Sequence, residues 1–480
     1  MDPAAAAAAA ATGNLPSPFS AAAANGHVYY YLDPALYASV VPPVIPTAAE
    51  VARRRQEEEN AGIRLVHLLV TCAGAIQAGD YSAAGDYLTQ ARSFLAAITS
   101  STGIGRVARH FVDALAQRLA PAHPQQAPPP PPATAAELHS HFYDAGPYLK
   151  FAYSTANQAI LDAFEGCDRV HVVDLALMQG LQWPALIDAL SQRRGGPPHL
   201  RITGIGGAGD ELGEVGARLE QLARSLDVPF TFRVVRVDQL DGLRRWMLGV
   251  VPGEALAVNS VLQLHRLLVD PDADPAVPAP IDALLYLVTS LQPRVFTVVE
   301  QEADHNRPAL VERFTNALFH YAAMFDSMEA ASHRTGGGGT TSALAEACLR
   351  AEILDVVCGE GSARAERHEP VDRWRERLAR AGLTQLPVGA DEVRRASAQL
   401  IRETLFSATG YGVLECAGSL ALAWHDRPLY AATAWRATGA GDASGGGAAA
   451  ASGERDDKGR RRNSRNGSGE SNGRGNRATA

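Results

Sequence analysis

Apolar positions recur at two different periods along the chain, and the change of period divides it. Leu65, Leu68, Leu69, Cys72 and Ile76 fall at helical spacing, Gly79-Asp80 interrupts, and a second stripe runs through Tyr81, Ala84, Leu88, Ala91, Leu95 and Ile98. Together they predict a helical hairpin with a wide apolar face. From Pro121 to Pro132, with five consecutive prolines, the chain lacks the amides that a helix or sheet interior requires, which predicts a polyproline linker. Beyond it, Leu138, Phe142, Leu149, Phe151, Ile160, Leu161 and Phe164 predict two more helices meeting at Gly146-Pro147.

The period then shortens. Val170-His171-Val172-Val173-Asp174 is a β-branched run ending in a carboxylate, Trp183 to Arg193 returns to helical spacing, and Leu200 to Ile205 reads as strand again. Alternation continues with Leu212–Leu226 as helix, Phe230–Val237 and Ala255–Val258 as strands, Ile281–Leu291 as helix and Val295–Val299 as strand. Gly412–Cys416, Ser419–Trp424 and Leu429–Trp435, around His425-Asp426-Arg427-Pro428, read as an antiparallel addition to the sheet edge. The expected fold is therefore α/β: a doubly wound, mainly parallel sheet of methyltransferase-like Rossmann topology with a C-terminal antiparallel hairpin, plus an N-terminal helical cap. Expected boundaries are a disordered arm over 1–56, a leucine-rich cap over 57–120, the linker over 121–134, the α/β core with helical insertions over 135–436, and a disordered basic tail over 437–480.

Composition narrows the function. The chain is 46% hydrophobic and 20% charged, enough for a large core, and its formal charge of −8 counts against wrapping nucleic acid by bulk electrostatics. The tail carries eight basic against five acidic side chains, so the rest stands at about −11. Five dispersed cysteines form neither a disulfide framework nor a CxxC zinc site, and no apolar stretch is long enough to span a bilayer. Only Lys150 and Lys458 are lysines.

A dinucleotide or S-adenosylmethionine site needs closely spaced glycines after the first strand, because only a backbone without Cβ lets the ligand reach the next helix's N-terminus. Asp174 is followed instead by Leu175-Ala176-Leu177-Met178-Gln179-Gly180. The second strand supplies Gly204, Gly206 and Gly207 where an acid should hold the ribose, and delays its carboxylates to Asp210 and Glu211. The pattern reads as a fold retained with its cofactor site lost: no cofactor, no metal and no catalytic residue are expected. Glu137, His139, His141 and Asp144 read as a solvated helix face, since positions two apart diverge on a helix. No GxSxG, P-loop or HExxH sequence occurs. Glu300-Gln301-Glu302-Ala303-Asp304-His305-Asn306, at the C-terminal end of an expected strand, is the densest polar run; helix caps and inter-element hydrogen bonds account for it as well as a pocket does.

The stretch Val170-His171-Val172-Val173-Asp174 through Gln179-Gly180-Leu181-Gln182-Trp183-Pro184 resembles the VHIID motif of the plant GRAS family of transcriptional regulators. Trp374 with Gly382, Leu422-Ala423-Trp424 and Ala432-Thr433-Ala434-Trp435 resemble the three elements of its SAW region, and Phe319–Tyr321 with Arg373–Arg377 resemble its PFYRE region. The resemblance spans about 57–436. Leu65–Leu69, Val258–Leu268 and Val299–Asn306 look most like the DELLA branch, the gibberellin-signalling repressors, while the N-terminal arm contains no Asp-Glu-Leu-Leu-Ala run and no Val-His-Tyr-Asn-Pro segment. What the resemblance implies is a nuclear, non-enzymatic, DELLA-like repressor that lacks the segment captured by the gibberellin receptor and resists hormone-triggered degradation.

Leu65-x-x-Leu68-Leu69 and Leu264-x-x-Leu267-Leu268 each place three leucines on one side of a helical turn, a form that a partner's apolar groove recognises; core packing produces the same spacing. The wide stripe of the first hairpin fits docking of a helix from a transcription factor or of a second GRAS chain, as homo- or heterodimer. Lys458, Arg460, Arg461 and Arg462 form the candidate nuclear-import cluster. Arg53–Arg55, followed by Glu57–Glu59, read instead as a charged helix start. Two functional classes stay ahead of the methyltransferase: a scaffold that binds DNA-binding transcription factors, and a domain that itself contacts DNA. The negative body favours the scaffold.

Overall fold

A computed structural model describes residues 19–24, 27–32, 47–97, 103–120, 135–207, 211–274, 276–335, 339–387, 395, 396, 398, 410–416 and 418–438. The polyproline linker, the basic tail from residue 439 and its cluster Lys458, Arg460, Arg461 and Arg462 lie outside the described residues, while Ala437, expected in the tail, ends the last strand.

Strands β1 (Phe19–Ala24) and β2 (His27–Leu32) pair antiparallel within the segment expected to be a disordered arm. Helix α1 spans Ala48–Gln77, beginning ahead of the boundary expected at residue 57. A local device accounts for this start: the Thr47 hydroxyl accepts from Glu50 N at 3.2 Å while the Glu50 carboxylate accepts from Thr47 N at 2.8 Å, a reciprocal cap that satisfies two otherwise orphaned amides. Helix α2 (Tyr81–Ala97) completes the expected hairpin, and α3 (Gly103–Leu119) packs on both. After the linker come α4 (Ala135–Ala145) and α5 (Tyr148–Ala163).

The sheet elements follow: β3 (Arg169–Asp174), α6 (Trp183–Ser191), β4 (His199–Gly206), α7 (Leu212–Ser225), β5 (Phe230–Arg236), the one-turn α8 (Arg245–Leu248), β6 (Ala255–Val261), α9 (Pro280–Leu291) and β7 (Val295–Gln301). Two long helices, α10 (Leu310–Thr335) and α11 (Gly339–Cys358), precede α12 (Val371–Arg380), β8 (Leu383–Gln385), β9 (Tyr411–Cys416), β10 (Ser419–Trp424) and β11 (Arg427–Ala437). Strand order is β5-β4-β3-β6-β7-β11-β10-β9, with β8 on β11. The five strands from β3 to β7 are parallel and the C-terminal strands antiparallel, as the pattern predicted. His425 (φ 44°) and Asp426 (φ 63°) form the two-residue turn between β10 and β11, both in the left-handed region that matches the twist of a hairpin.

Alternation along β3 sends Val170 and Val172 into a core under α6 and α7, and Val173 into a second core under α9 and α12. A third core joins α1 to α5 with α10, α11 and the inner residues of β9 to β11. The wide stripe of the α1–α2 hairpin is thereby spent within the chain: α3 and α10 cover it. Among the described residues, no helix is long and apolar enough to cross a membrane.

Candidate functional site: a filled cofactor cleft and a buried histidine hub

In an open parallel sheet, ligands enter the crevice at the C-terminal strand ends where strand order reverses, here between β3 and β6. Asp174 ends β3 at 3% exposure, directly opposite Asn259 of β6. Its carboxylate accepts from Trp183 Nε1 at 2.9 Å, Asn259 Nδ2 at 3.2 Å and the Ala176 amide at 3.3 Å. Burial pushes the Asp174 carboxyl up to about 6, against the pull of those donors. Asn259 also donates to Gln182 Oε1 at 3.0 Å and accepts from Thr297 Oγ1 at 2.8 Å, and Gln182 Nε2 donates to Asn157 Oδ1 at 3.0 Å. The reversal point is closed by the chain's own polar side chains.

The loop after β3 closes it further. Leu177 lies over Gly204 of β4, where a Cβ would stand 2.6 Å from Leu177 Cδ2, and the Leu177 amide donates to Ile205 O at 2.9 Å. The β4 glycine thus admits a leucine. Gly180 turns the loop at φ +68°, and a Cβ there would stand 2.6 Å from Val215 Cγ1. Of the three bulky residues in this loop, Leu175 and Leu177 are buried, Leu177 filling the floor, and Met178 is only half-buried. What remains outside is a cleft of ≈ 350 Å³ lined by Gln179, Leu181, Pro184, Arg218 and Leu222 among others.

The other residues of the β3 motif are structural. Val170, Val172 and Val173 are core residues. His171 is fully buried, its Nε2 2.8 Å from Thr203 Oγ1, and burial drives its imidazole down to about 4.

A second polar assembly forms at the end of β7. Glu300 accepts from the Gln263 and Leu264 amides at 3.2 and 2.8 Å, and its other oxygen meets His265 Nδ1 at 2.7 Å. His265 Nε2 stands 2.9 Å from Glu366 Oε2. Burial alone would discharge His265; the Glu300 and Glu366 carboxylates outweigh it and lift the imidazole to about 9. His305 Nδ1 meets His368 Nδ1 at 3.0 Å, and His320 Nε2 meets Gln301 Oε1 at 3.0 Å. Around this hub, Arg364 and Arg367 donate to Asp270, Asn306 donates to Glu369, and Glu302 accepts from the Val371 amide. The polar run Glu300–Asn306 therefore staples three segments of the chain. Its histidine and glutamate partners were missed from sequence because they lie far away along the chain; the polar run was the only signal for them.

The two leucine motifs separate on burial. Leu264, Leu267 and Leu268 sit in or beside a 3₁₀ turn and pack into the core under α9, so all three leucines face the chain's own interior. Leu65 and Leu69 are fully buried in the cap core, with Leu68 half-buried beside them. Of the expected helix-face cluster, His139 packs inward, its Nε2 2.8 Å from Tyr153 OH, while Asp144 is exposed. Trp374 on α12 and Trp435 on β11 are buried in one core, with Gly382 (φ +86°) leading from α12 into β8. Trp424 donates to Asp326 Oδ2 at 2.7 Å, joining β10 to α10, and Tyr321 of α10 is buried while Phe319 is exposed.

This geometry defines a protein with a methyltransferase-like sheet whose ligand crevice is occupied by its own side chains. The chain belongs to the GRAS domain family, whose model matches residues 65–436. It is 57% identical over 442 residues to Protein SLENDER RICE1-LIKE 2 of Oryza sativa subsp. japonica, covering 87% of this chain and 88% of that protein. To DELLA protein SLR1 of the same rice it is 42% identical, over 80% of this chain and 63% of that protein. A crystal structure of SCL7 from Oryza sativa superposes with a TM-score of 0.66 at 32% identity, covering 78% of this chain and 99% of that one. The chain is thus a GRAS regulator of the DELLA-like type.

Proposed function

We propose that this protein is a non-enzymatic nuclear repressor of gibberellin responses that works by binding DNA-binding transcription factors. The observation that carries the reading is the filled crevice. Leu177 occupies the space above Gly204, and Asp174 is already engaged by Trp183 and Asn259, so neither the end of β3 nor Gly204 of β4 is left open as an acid or a cradle for a nucleoside. The 42% identity to a DELLA protein supports the hormone pathway, and the charge of about −11 ahead of the tail supports protein rather than DNA as the first contact. Resistance to hormone-triggered loss is supported by the scarcity of ubiquitin acceptors: Lys150 is half-buried with its ammonium 5.2 Å from the Tyr143 ring centroid, and Lys458 is the other lysine.

The test is affinity capture with the full chain from plant nuclear extract, together with a repression reporter and a gibberellin time course. Recovery of DNA-binding factors, repression of the reporter and a protein level indifferent to hormone are expected. Saturable S-adenosylmethionine binding, tight sequence-dependent binding of purified chain to duplex DNA, or rapid hormone-dependent loss would each overturn the corresponding part.

A further inference from the structure

The hub at the end of β7 holds more hydrogen-bonding capacity than its neighbours satisfy. His305 Nε2, His320 Nδ1 and His368 Nε2 are all buried without a hydrogen-bond partner, on side chains at most 1% exposed. A buried imidazole edge facing nothing costs about 1–3 kcal/mol, so three in one assembly call for a reason. One of them, His368 Nε2, lies 3.4 Å from Glu366 Oε2 without the alignment of a hydrogen bond, and the same oxygen lies 2.9 Å from His265 Nε2. Ligating atoms of His265, Glu366 and His368 all lie within 4.8 Å of one another.

We propose that His265, Glu366 and His368 bind one divalent transition-metal ion, zinc by ligand type, as a structural clamp between the segment after β6 and the segment before α12. Bonds of about 2.0–2.2 Å to nitrogen and oxygen put tetrahedral ligand atoms roughly 3.4 Å apart; the edges from Glu366 Oε2, 2.9 and 3.4 Å, are near that length, and the His265–His368 edge, within 4.8 Å, closes by rotation of the rings. The outer groups are those a metal-ligating histidine requires. His265 turns its other nitrogen to Glu300 at 2.7 Å, and His368 turns its own to His305 at 3.0 Å, fixing each ring with Nε2 toward the ion. Ring centroids of His265 and His368 are 4.2 Å apart in a stacked pair, which places the two imidazoles side by side. Binding replaces the proton at His265 Nε2, which leaves to solvent. The neighbouring Arg364 and Arg367 do not repel the ion unopposed, because both are paired with Asp270. Arg266, whose side chain is 52% exposed, donates to the other oxygen, Glu366 Oε1, at 2.9 Å, so Glu366 is held from its outer side while Oε2 faces His265.

The test uses the full chain stripped with chelator. Zinc is titrated by calorimetry, retention after gel filtration is measured by atomic emission, and Co²⁺ is substituted as a spectroscopic probe. One zinc per chain is expected, with a cobalt spectrum of nitrogen and oxygen ligands and no thiolate charge-transfer band. His368→Asn should abolish binding, and Glu300→Gln, which acts through His265, should weaken it about 10–100-fold. Failure of the wild-type chain to retain zinc overturns the proposal, as does a thiolate band in the cobalt spectrum or unchanged affinity in both variants. Should His368→Asn fail to fold, the wild-type stoichiometry and cobalt spectrum decide alone.

Discussion

Filling of the crevice by Leu177 can be measured as a coupling between two residues that are neighbours only in the folded chain. Leu177 is 2% exposed, so Leu177→Ala should cost about 2–5 kcal/mol through lost burial and the cavity left behind. Gly204→Ala adds a methyl 2.6 Å from Leu177 Cδ2 and 3.1 Å from its Cγ, too close for ordinary contact. The leucine must move within a packed core, at about 1–3 kcal/mol, offset by roughly 0.4–1 kcal/mol from the stiffer unfolded chain. In the double variant the new methyl enters the space left by Leu177 Cγ and Cδ2, so most of the overpacking cost is relieved, with the Cβ of residue 177, 3.2 Å away, the one close contact of the three that stays. The double should therefore be more stable than the sum of the singles predicts, by about 1–3 kcal/mol. The assay is the urea midpoint of the full chain and its three variants, with unchanged slopes showing that the extent of unfolding is the same. Additivity within about 0.5 kcal/mol would mean that the two residues do not share space, and the account of the closed crevice would fail.

Three further perturbations test the buried polar groups. Asp174 is raised from 3.8 to about 6, chiefly by burial, so the folded chain holds its proton more tightly than the unfolded one and stability falls by up to about 3 kcal/mol as pH rises through that window; Asp174→Asn should flatten this slope in pH-dependent denaturation while lowering stability overall, since an amide offers one acceptor where the carboxylate used two. Glu346 of α11 takes His110 and Arg106 of α3; burial alone would raise its carboxyl, and these partners bring it instead from 4.5 down to about 2. Its contribution, at most about 3 kcal/mol before solvent screening, is present above pH ~4.5 and lost as pH falls toward 2, so Glu346→Gln should remove that part of the acid limb in a pH titration of the urea midpoint. Asn259→Leu deprives Gln182 Oε1 of its donor, leaves Asp174 Oδ1 with the Ala176 amide alone, and should cost at least about 2 kcal/mol in the same assay; a neutral result would show that the network contributes nothing.

The central parallel strands were legible because burial on both faces favours runs of β-branched residues. Val170–Val173 and Val295–Val299 announce themselves as β-branched runs, and the glycine-poor loop after Asp174 announces the closed crevice. Helix α11 has no such signature. It is packed against α3, α4 and α10, so its apolar residues are not confined to one stripe, and the period that marks a surface helix is missing. The leucine motifs were ambiguous for the complementary reason: Leu264, Leu267 and Leu268 satisfy a spacing rule that core packing and partner docking share, and only burial tells them apart. The histidine hub was beyond reading because His265 meets Glu300 across 35 positions and Glu366 across 101.

The same feature explains how the sheet changes its use. In a ligand-binding sheet of this topology, side chains at the C-terminal strand ends are left underbonded inside the fold and aimed at solute. Here the chain itself satisfies many of them: Asp174 takes an indole and an amide, Glu300 takes two backbone amides and an imidazole, and Glu302 takes the amide that begins α12. Each such bond ties a crossover segment to the sheet, so segments that would otherwise be free to close over a ligand are held down by buried charge-assisted contacts. Opening any of them leaves a carboxylate or imidazole stranded in a low dielectric, at a cost well above that of an exposed pair. An edge bonded in this way is a rigid platform, and rigidity is what a surface needs to present one fixed outline to partner proteins at small entropic cost.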